Sequence, residues 1–315
     1  MSLDFWDSVG RVLPVMVVMG LGFALGGLGV IEEPSLDLMA KLVVRFSLPL
    51  GMLQSLSSRF TREELASQGL VLTVPFLSML VCYGVSSLLA GLLRVPRCRR
   101  GLVAGAFSFS NSIFLGLPLA RAMLGEEALP FALIYYMGNT TLWWTLGFWG
   151  IARDCGRSSS SLAAKGLLSP PLVGFLAGLS MVLLGLRLPA FLDRAFATVG
   201  QMTTPLSLVY VGSSLWFGRK GLTLPVRELA LVSTGRFLFA PALTFALSAW
   251  AGASPLASDV FVLMAGMPVL VNLALVARMC RADERLASAL VVATTALSVI
   301  SMPIAGMILG LRRSI

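Results

Sequence analysis

Long apolar segments alternate with short polar loops along almost the whole chain. Ten segments have this character, and we call them spans 1–10: residues 9–31, 36–57, 69–93, 101–124, 128–151, 167–187, 189–217, 228–250, 255–279 and 286–311. Each is long enough to cross the roughly 30 Å hydrocarbon core of a bilayer as a helix, at about 1.5 Å per residue. Within the spans, apolar and polar residues do not alternate with period two as they would in strands. The pattern predicts an all-α membrane protein with ten transmembrane helices.

The composition indicates a chain surrounded by lipid. Of its 315 residues, 57% are hydrophobic and only 12% are charged, whereas soluble proteins are about 25% charged. The net charge of +9 is dispersed over the loops, so the lipid bilayer and not a nucleic acid is the expected partner. The cysteines show no metal-ligand spacing and no phosphate-binding G-x-x-x-x-G-K-[ST] motif occurs, so we expect no metal, no cofactor and no use of ATP.

The Lys and Arg residues of the loops predict the direction of the helices. If the N-terminus lies outside, the cytosolic loops hold thirteen of these residues and the outer loops hold seven. The positive-inside rule favours this arrangement. The sequence therefore predicts a protein of the bacterial inner membrane with both termini on the non-cytoplasmic side.

The two halves of the chain resemble each other at a nearly constant spacing. Pro49 in span 2 lies 156 residues before Pro205 in span 7. A polar linker at 152–166 separates the halves 1–151 and 167–315, and each half holds five spans. Because five is odd, the two halves run in opposite orientations. Inverted repeats of this kind are typical of secondary transporters.

Spans 4 and 9 carry polar residues and prolines at matching places. Span 4 contains Asn111 and Pro118, and span 9 contains Pro268 and Asn272. Proline removes a backbone donor, and an amide inside the membrane is costly without a partner. A proline kink alone is common without any ligand, but the paired occurrence favours a functional break. We expect two broken helices that cross near the bilayer midplane, with Pro118, Pro268 and Gly116 at the crossover.

Five segments carry a resemblance to a known family: "NSIFLGLPLARAMLG" (111–125), "LIYYMGNTTLWW" (133–144), "SPPLVGFLAGLSMVLLGLRLPAFL" (169–192), "PLSLVYVGSSL" (205–215) and "MPVLVNLALVA" (267–277). Together, in this order and over essentially the whole chain, they resemble the auxin efflux carrier family. This family includes the PIN-type auxin exporters of plants and bacterial permeases for malonate or other organic acids. The PIN-type exporters have a long central loop, so the short linker here is similar to that of the bacterial members.

The resemblance implies a fold shared with the bile-acid/sodium symporters. Spans 1, 2, 6 and 7 would form a scaffold that dimerises, and spans 3–5 and 8–10 would form a transport domain. The transport domain would move like an elevator around the crossing of spans 4 and 9. The resemblance also implies that Asn139 contacts the substrate and that Gln54 and Ser55 face the site from the scaffold.

Three asparagines are the main candidates for direct contact with a substrate: Asn111, Asn139 and Asn272. Their amides donate and accept hydrogen bonds, and the half-helices after the breaks would add free N–H groups and a positive dipole end for a carboxylate. The secondary candidates are nearby hydroxyl residues: Ser108, Ser110 and Thr140. Arg236 in span 8 either draws an anion toward the crossing or extends to the lipid headgroups, and the sequence leaves both interpretations open.

The charged residues inside the spans constrain the mechanism. No Asp or Glu lies in the central half of any span, and the chain has no His, so the usual groups of a proton relay are missing. No nucleophile–base pair or carboxylate dyad indicates an enzyme. We therefore expect a secondary transporter that exports small organic anions, driven by a potential worth about 2.3 kcal/mol per charge per 100 mV. Two alternatives stay open: a sodium- or proton-coupled organic-acid permease, and a membrane ligand sensor.

Overall fold

The computed structural model describes residues 5–59, 69–156, 170–219 and 225–314, and within them the chain is all-helical. We number the helices of these residues α1 (Phe5–Gly27), α2 (33–59), α3 (Val71–Leu92), α4 (Arg97–Ser108), α5 (Ser112–Leu124), α6 (129–154), α7 (Pro170–Leu183), α8 (Ala190–Gln201), α9 (Thr203–Gly218), α10 (Val226–Trp250), α11 (Pro255–Ala265), α12 (Asn272–Cys280) and α13 (Glu284–Ser314). The described part of each predicted span is one helix or two consecutive helices. Most of the predicted linker, 157–166, lies outside the described residues.

The described helices include three that are long and apolar enough to cross a membrane, by length and composition alone. These stretches are Val71–Leu92, Val226–Trp250 and Glu284–Ile308. Spans 4 and 9 are each divided into two shorter helices, α4–α5 and α11–α12. That all ten spans cross a bilayer as two inverted repeats stays a prediction.

Three helices contain a widened π-helical turn that ends two residues before a proline. The turns are Val43–Ser47 in α2, Ser112–Gly116 in α5 and Gly235–Phe239 in α10, and the prolines are Pro49, Pro118 and Pro241. A proline ring clashes with the carbonyl group four residues before it and cannot donate to that group. In each case this carbonyl belongs to the middle residue of the π-turn. The widened turn therefore makes room for the ring without ending the helix.

The break in span 4 consequently does not lie at Pro118. The chain leaves the helix at 109–111, and α5 then begins with Asn111 as its cap, whose Oδ1 accepts a hydrogen bond from the Phe114 N–H at 3.3 Å. Gly116 lies in the π-turn against Met264, where an added Cβ would be 2.8 Å from the sulfur. In span 9, Pro268 lies within the break itself.

Glycines allow the backbones of neighbouring helices to touch. An added Cβ at Gly212 of α9 would lie 1.9 Å from the carbonyl oxygen of Met19 in α1. One at Gly174 of α7 would lie 2.4 Å from the carbonyl oxygen of Pro49 in α2. Small residues that permit such approach are the usual basis of helix packing in membranes. These contacts join helices of spans 1, 2, 6 and 7 in closely packed pairs.

Replacing Gly212 with valine is expected to destabilise the protein, because the new side chain meets backbone that cannot move alone. Overpacking of this kind costs about 1–3 kcal/mol or more. The measurement is the melting temperature of the purified protein in detergent. Gly84→Val is the matched control, since an added Cβ at Gly84 meets nothing within 4 Å. Equal melting temperatures for the two variants would contradict the packing argument.

An ion-pair cluster around Arg99 gathers four helices at one end of the molecule. Arg99 in the first turn of α4 contacts Glu228 of α10 at 3.3 Å and Asp283, just before α13, at 2.7 Å. At the same end, Asp154 of α6 accepts a hydrogen bond from the Gly101 N–H at 2.8 Å. The starts of α4, α10 and α13 and the end of α6 therefore lie together. We call this the Arg99 end.

Candidate functional site

The two interrupted spans meet at their breaks. Ser110 and Val269 form an isolated antiparallel bridge. Beside it, the Asn111 N–H donates to the Pro268 carbonyl oxygen at 2.8 Å. Backbone groups that leave a helix inside a membrane must find partners within the protein. Each break thus supplies hydrogen-bond partners for the backbone of the other. We call the place where the two breaks meet the crossing.

One side chain from each half completes the crossing. Asn139 of α6 accepts a hydrogen bond from the Ser110 N–H at 3.0 Å and donates to the Ser110 carbonyl oxygen at 3.0 Å and to the Ser112 Oγ at 3.1 Å. Thr294 of α13 accepts a hydrogen bond from the Val269 N–H at 3.1 Å. The two supporting residues are 155 positions apart. Equivalent places in the two halves therefore support equivalent breaks.

Arg236 also contacts the crossing. It lies in the π-turn of α10 and is 0% exposed. Its guanidinium group donates to the carbonyl oxygens of Met267 at 2.9 Å and Phe107 at 3.2 Å, and also to that of Ala265. These carbonyls lie at or just beyond the C-terminal ends of α4 and α11, where helix dipoles are negative. Arg236 is thus packed against the crossing and does not reach the headgroups.

A cavity of about 370 Å³ opens beside the crossing, and we call it the first cavity. Five of the predicted site residues line it: Ser110, Asn111, Asn139, Thr140 and Asn272. Both second half-helices, α5 and α12, begin at this cavity, so their positive dipole ends lie beside it. The asparagines that the sequence singled out from three separate spans are therefore brought together.

Two buried side-chain N–H donors at the first cavity have no partner among the residues that the structure describes. They are the Asn111 Nδ2 and the Trp143 Nε1, and their residues are only 3% and 1% exposed. The Asn111 Oδ1 is occupied as the cap of α5, which fixes the amide and leaves its NH₂ group available. An unsatisfied buried donor costs about 1–3 kcal/mol. Both donors are suited to a ligand that accepts hydrogen bonds.

Trp143 is a residue of the site whose sequence pattern alone indicates another role. The aromatic end of span 5, with Trp143, Trp144 and Trp149, has the composition of an interfacial belt. In the structure Trp143 is buried and lines the first cavity together with Trp144, whereas Trp149 is 43% exposed. The spacing of Trp143 from Asn139 was the available signal, since residues four apart on a helix share a face.

A second cavity of about 350 Å³ holds the two residues predicted from the scaffold. Gln54 and Ser55 line it, and Gln54 donates to the Asp193 Oδ1 at 3.0 Å. The second cavity also contains the Arg121–Glu126 ion pair. The structure thus separates Gln54 and Ser55 from the three asparagines.

Ser108 and Pro118 also lie outside both cavities. Ser108 is 1% exposed at the last turn of α4. Pro118 lines a neighbouring cavity of about 450 Å³ between α1, α5 and α9.

The two cavities are lined by different stretches of α6. The first is lined by Asn139, Thr140 and Trp144, around the middle of α6, and by Pro170 at the start of α7. The second is lined by Leu129 and Leu133 in the first turns of α6. A helix rises about 1.5 Å per residue, so the two sets lie at different depths along α6.

Comparisons with known proteins give a family and several full-length relatives. The profile of the membrane transport protein family matches residues 7–158 and 156–305. A protein of Methanothermobacter thermautotrophicus, named an uncharacterized transporter, is 28% identical over 97% of this chain and 99% of its own length. Another uncharacterized transporter, from Methanocaldococcus jannaschii, is 24% identical over 95% of this chain and 97% of its own. A Rhizobium meliloti protein named "Putative malonate transporter" is 25% identical over 93% of both chains.

Proposed function

Since the chain belongs to the membrane transport protein family, we propose that its first cavity binds a small organic anion and that the protein carries this anion across the membrane. Membership makes the chain an integral membrane transporter and not an enzyme, and the resemblance to the auxin efflux carrier family is confirmed. The observation that carries the proposal is the pair of unpartnered N–H donors, the Asn111 Nδ2 and the Trp143 Nε1, in the cavity at which both half-helices begin.

The chemistry of the first cavity favours an anion over a cation. None of the described residues that line it is acidic, and its polar groups include amides, hydroxyls and an indole N–H. Donors that face an ionised acceptor form stronger hydrogen bonds than neutral pairs do. The aromatic residues Tyr136, Trp143 and Trp144 would contact an apolar or aromatic part of the ligand. A volume of about 370 Å³ lies within the usual range for small-molecule sites.

Contacts between the two halves of the chain support the proposed inverted repeat. Ser47 of α2 and Thr203 of α9 are 156 positions apart, the same spacing as the two prolines beside them, and their hydroxyl oxygens are 2.9 Å apart. Ser78 of α3 and Thr244 of α10 also pair, at 2.7 Å. Together with the crossing, corresponding spans of the two halves therefore meet pairwise, as they do around a pseudo-two-fold axis.

The transport cycle that we propose is elevator-like. Spans 1, 2, 6 and 7 form the scaffold of a homodimer, and spans 3–5 and 8–10 carry the first cavity. The two cavities, at different depths along α6, support two alternative openings. Export is driven by the membrane potential in the bacterial inner membrane, with both termini on the non-cytoplasmic side.

The proposal is tested by recording currents from protein reconstituted in lipid bilayers, with a panel of mono- and dicarboxylates and with or without sodium. We expect currents that carry net negative charge and do not depend on sodium. Currents of the opposite sign that require sodium would mean coupled uptake instead. Specific binding without flux in tracer assays would favour a ligand sensor and contradict transport.

Trp143→Phe is expected to weaken substrate binding while the fold is kept, because the variant keeps an aromatic ring and loses only the N–H donor. A hydrogen bond to a charged group is worth about 1.5–3 kcal/mol, so KM should rise about tenfold or more. Trp149→Phe is the control, since Trp149 is 43% exposed and does not line the cavity. An unchanged KM in both variants would remove Trp143 from the site.

A further inference from the structure

Arg236 is fully buried, and its guanidinium group takes no part in the proposed binding of an anion in the first cavity. It donates to the carbonyl oxygens of Phe107, Ala265 and Met267, which come from both interrupted spans. Arg236 is not among the residues that line the three cavities described above. Its three acceptors are main-chain carbonyl oxygens and not carboxylates. A buried charge persists only where its surroundings balance it.

The ends of two helices supply that balance. Ala265 is the last residue of α11, and Phe107 lies in the last turn of α4. Each helix C-terminus carries about half a negative charge, so two of them together offset about one positive charge. The guanidinium group also satisfies carbonyls that the helix ends leave without donors.

The same set of groups would suit a small monovalent cation. In transporters with discontinuous helices, unwound backbone carbonyls and half-helix C-terminal ends coordinate Na⁺. Here those groups already surround a cation that is covalently part of the chain. Arg236 cannot dissociate, and it stays protonated at any physiological pH.

We propose that Arg236 is a tethered counter-ion, which fills the place of a coupled cation at the crossing and so makes transport independent of sodium. The effect on transport rests on the proposed function. The ability of the crossing to bind a cation rests only on the contacts of Arg236. The inference predicts that removing the Arg236 side chain leaves a site at the crossing in which a free cation can bind. The probes are the guanidinium ion and Na⁺, each compared with choline.

Arg236→Ala is the test variant, assayed as purified protein and in proteoliposomes. In choline we expect transport to fall about tenfold or more, since the crossing loses its charge and three hydrogen bonds. Low concentrations of guanidinium, or Na⁺, should restore part of the transport and raise the melting temperature in a saturable way. Wild-type protein should show neither response. Arg236→Lys keeps the charge and should lose less transport than Arg236→Ala.

Arg45→Ala is the control, because Arg45 also lies in a π-turn before a proline, in α2, but its side chain is exposed. It should show no response to guanidinium. A folded Arg236→Ala protein whose melting temperature ignores both cations would overturn the inference, whatever its transport rate. If Arg236→Ala folds only when guanidinium is present during purification, the inference is supported, and if guanidinium gives no folded protein, it is contradicted. Failure of the wild type to transport would instead contradict the proposed function and leave the melting-temperature test decisive.

Discussion

Asn111→Asp is expected to abolish anion transport while the protein stays folded. The Oδ1 of Asn111 caps α5 by accepting the Phe114 N–H, and a carboxylate oxygen can replace it, since Asp and Asn are equally good caps. The Nδ2 donor, however, becomes an acceptor that carries a negative charge. The variant loses a hydrogen bond to the anion and adds repulsion in a buried site, so kcat/KM should fall about 100-fold or more.

The measurement is initial flux of the best carboxylate from the panel, together with the melting temperature. Asn111→Ser is the matched control, because serine also caps a helix but brings no charge. Its transport should lie between those of the wild type and Asn111→Asp. Wild-type flux in a folded Asn111→Asp protein would show that no anion binds beside Asn111.

A cross-link between α9 and α13 is expected to stop transport reversibly. An added Cβ at Gly218 would lie 3.8 Å from the Cβ of Val292, which is close to the mean separation in disulfides. Gly218 belongs to the proposed scaffold and Val292 to the proposed transport domain, and neither lines the first cavity. The double variant Gly218→Cys, Val292→Cys should therefore lose flux on oxidation and regain it on reduction.

The cross-link is made in a background in which the four native cysteines, Cys82, Cys98, Cys155 and Cys280, are replaced by serine or alanine. The control pair is Ser78→Cys with Thr244→Cys, whose native hydroxyl oxygens are 2.7 Å apart within the proposed transport domain. This pair should form a cross-link and still transport. Full flux with a complete α9–α13 cross-link would mean that these helices do not move relative to each other, which contradicts the elevator.

The helices and two of the asparagines, Asn111 and Asn272, were predictable from the sequence for a simple physical reason. Apolar length fixes where a helix can lie in lipid, and an amide in such a segment needs a partner. Asn111 and Asn272 stand out on that ground, Asn139 was assigned by the resemblance to the family, and the structure places all three around the first cavity. The pairing of Asn139 with Ser110 and of Thr294 with Val269 gives the repeated sequence spacing a structural basis.

Other features depend on contacts that no local pattern reveals. Pro118 signals a distortion, but whether a proline breaks a helix or widens a turn depends on packing around it. In the sequence, Arg236 is a single charged residue in an apolar span. Its burial is explained only by the two helix ends whose carbonyl groups meet at its side chain. Gln54 and Ser55 were assigned by resemblance, and the structure places them at a different cavity.

The π-turns before Pro49, Pro118 and Pro241 have a consequence for how this chain aligns with its relatives. A π-turn closes over one more residue than an α-turn, which resembles a one-residue insertion within a continuous helix. Each such residue rotates the following helix face by about 100°. A relative without one of these prolines should therefore be one residue shorter at that turn, so that its later residues keep their faces. Gaps in the alignment should fall inside helices at these three places, and not only in loops.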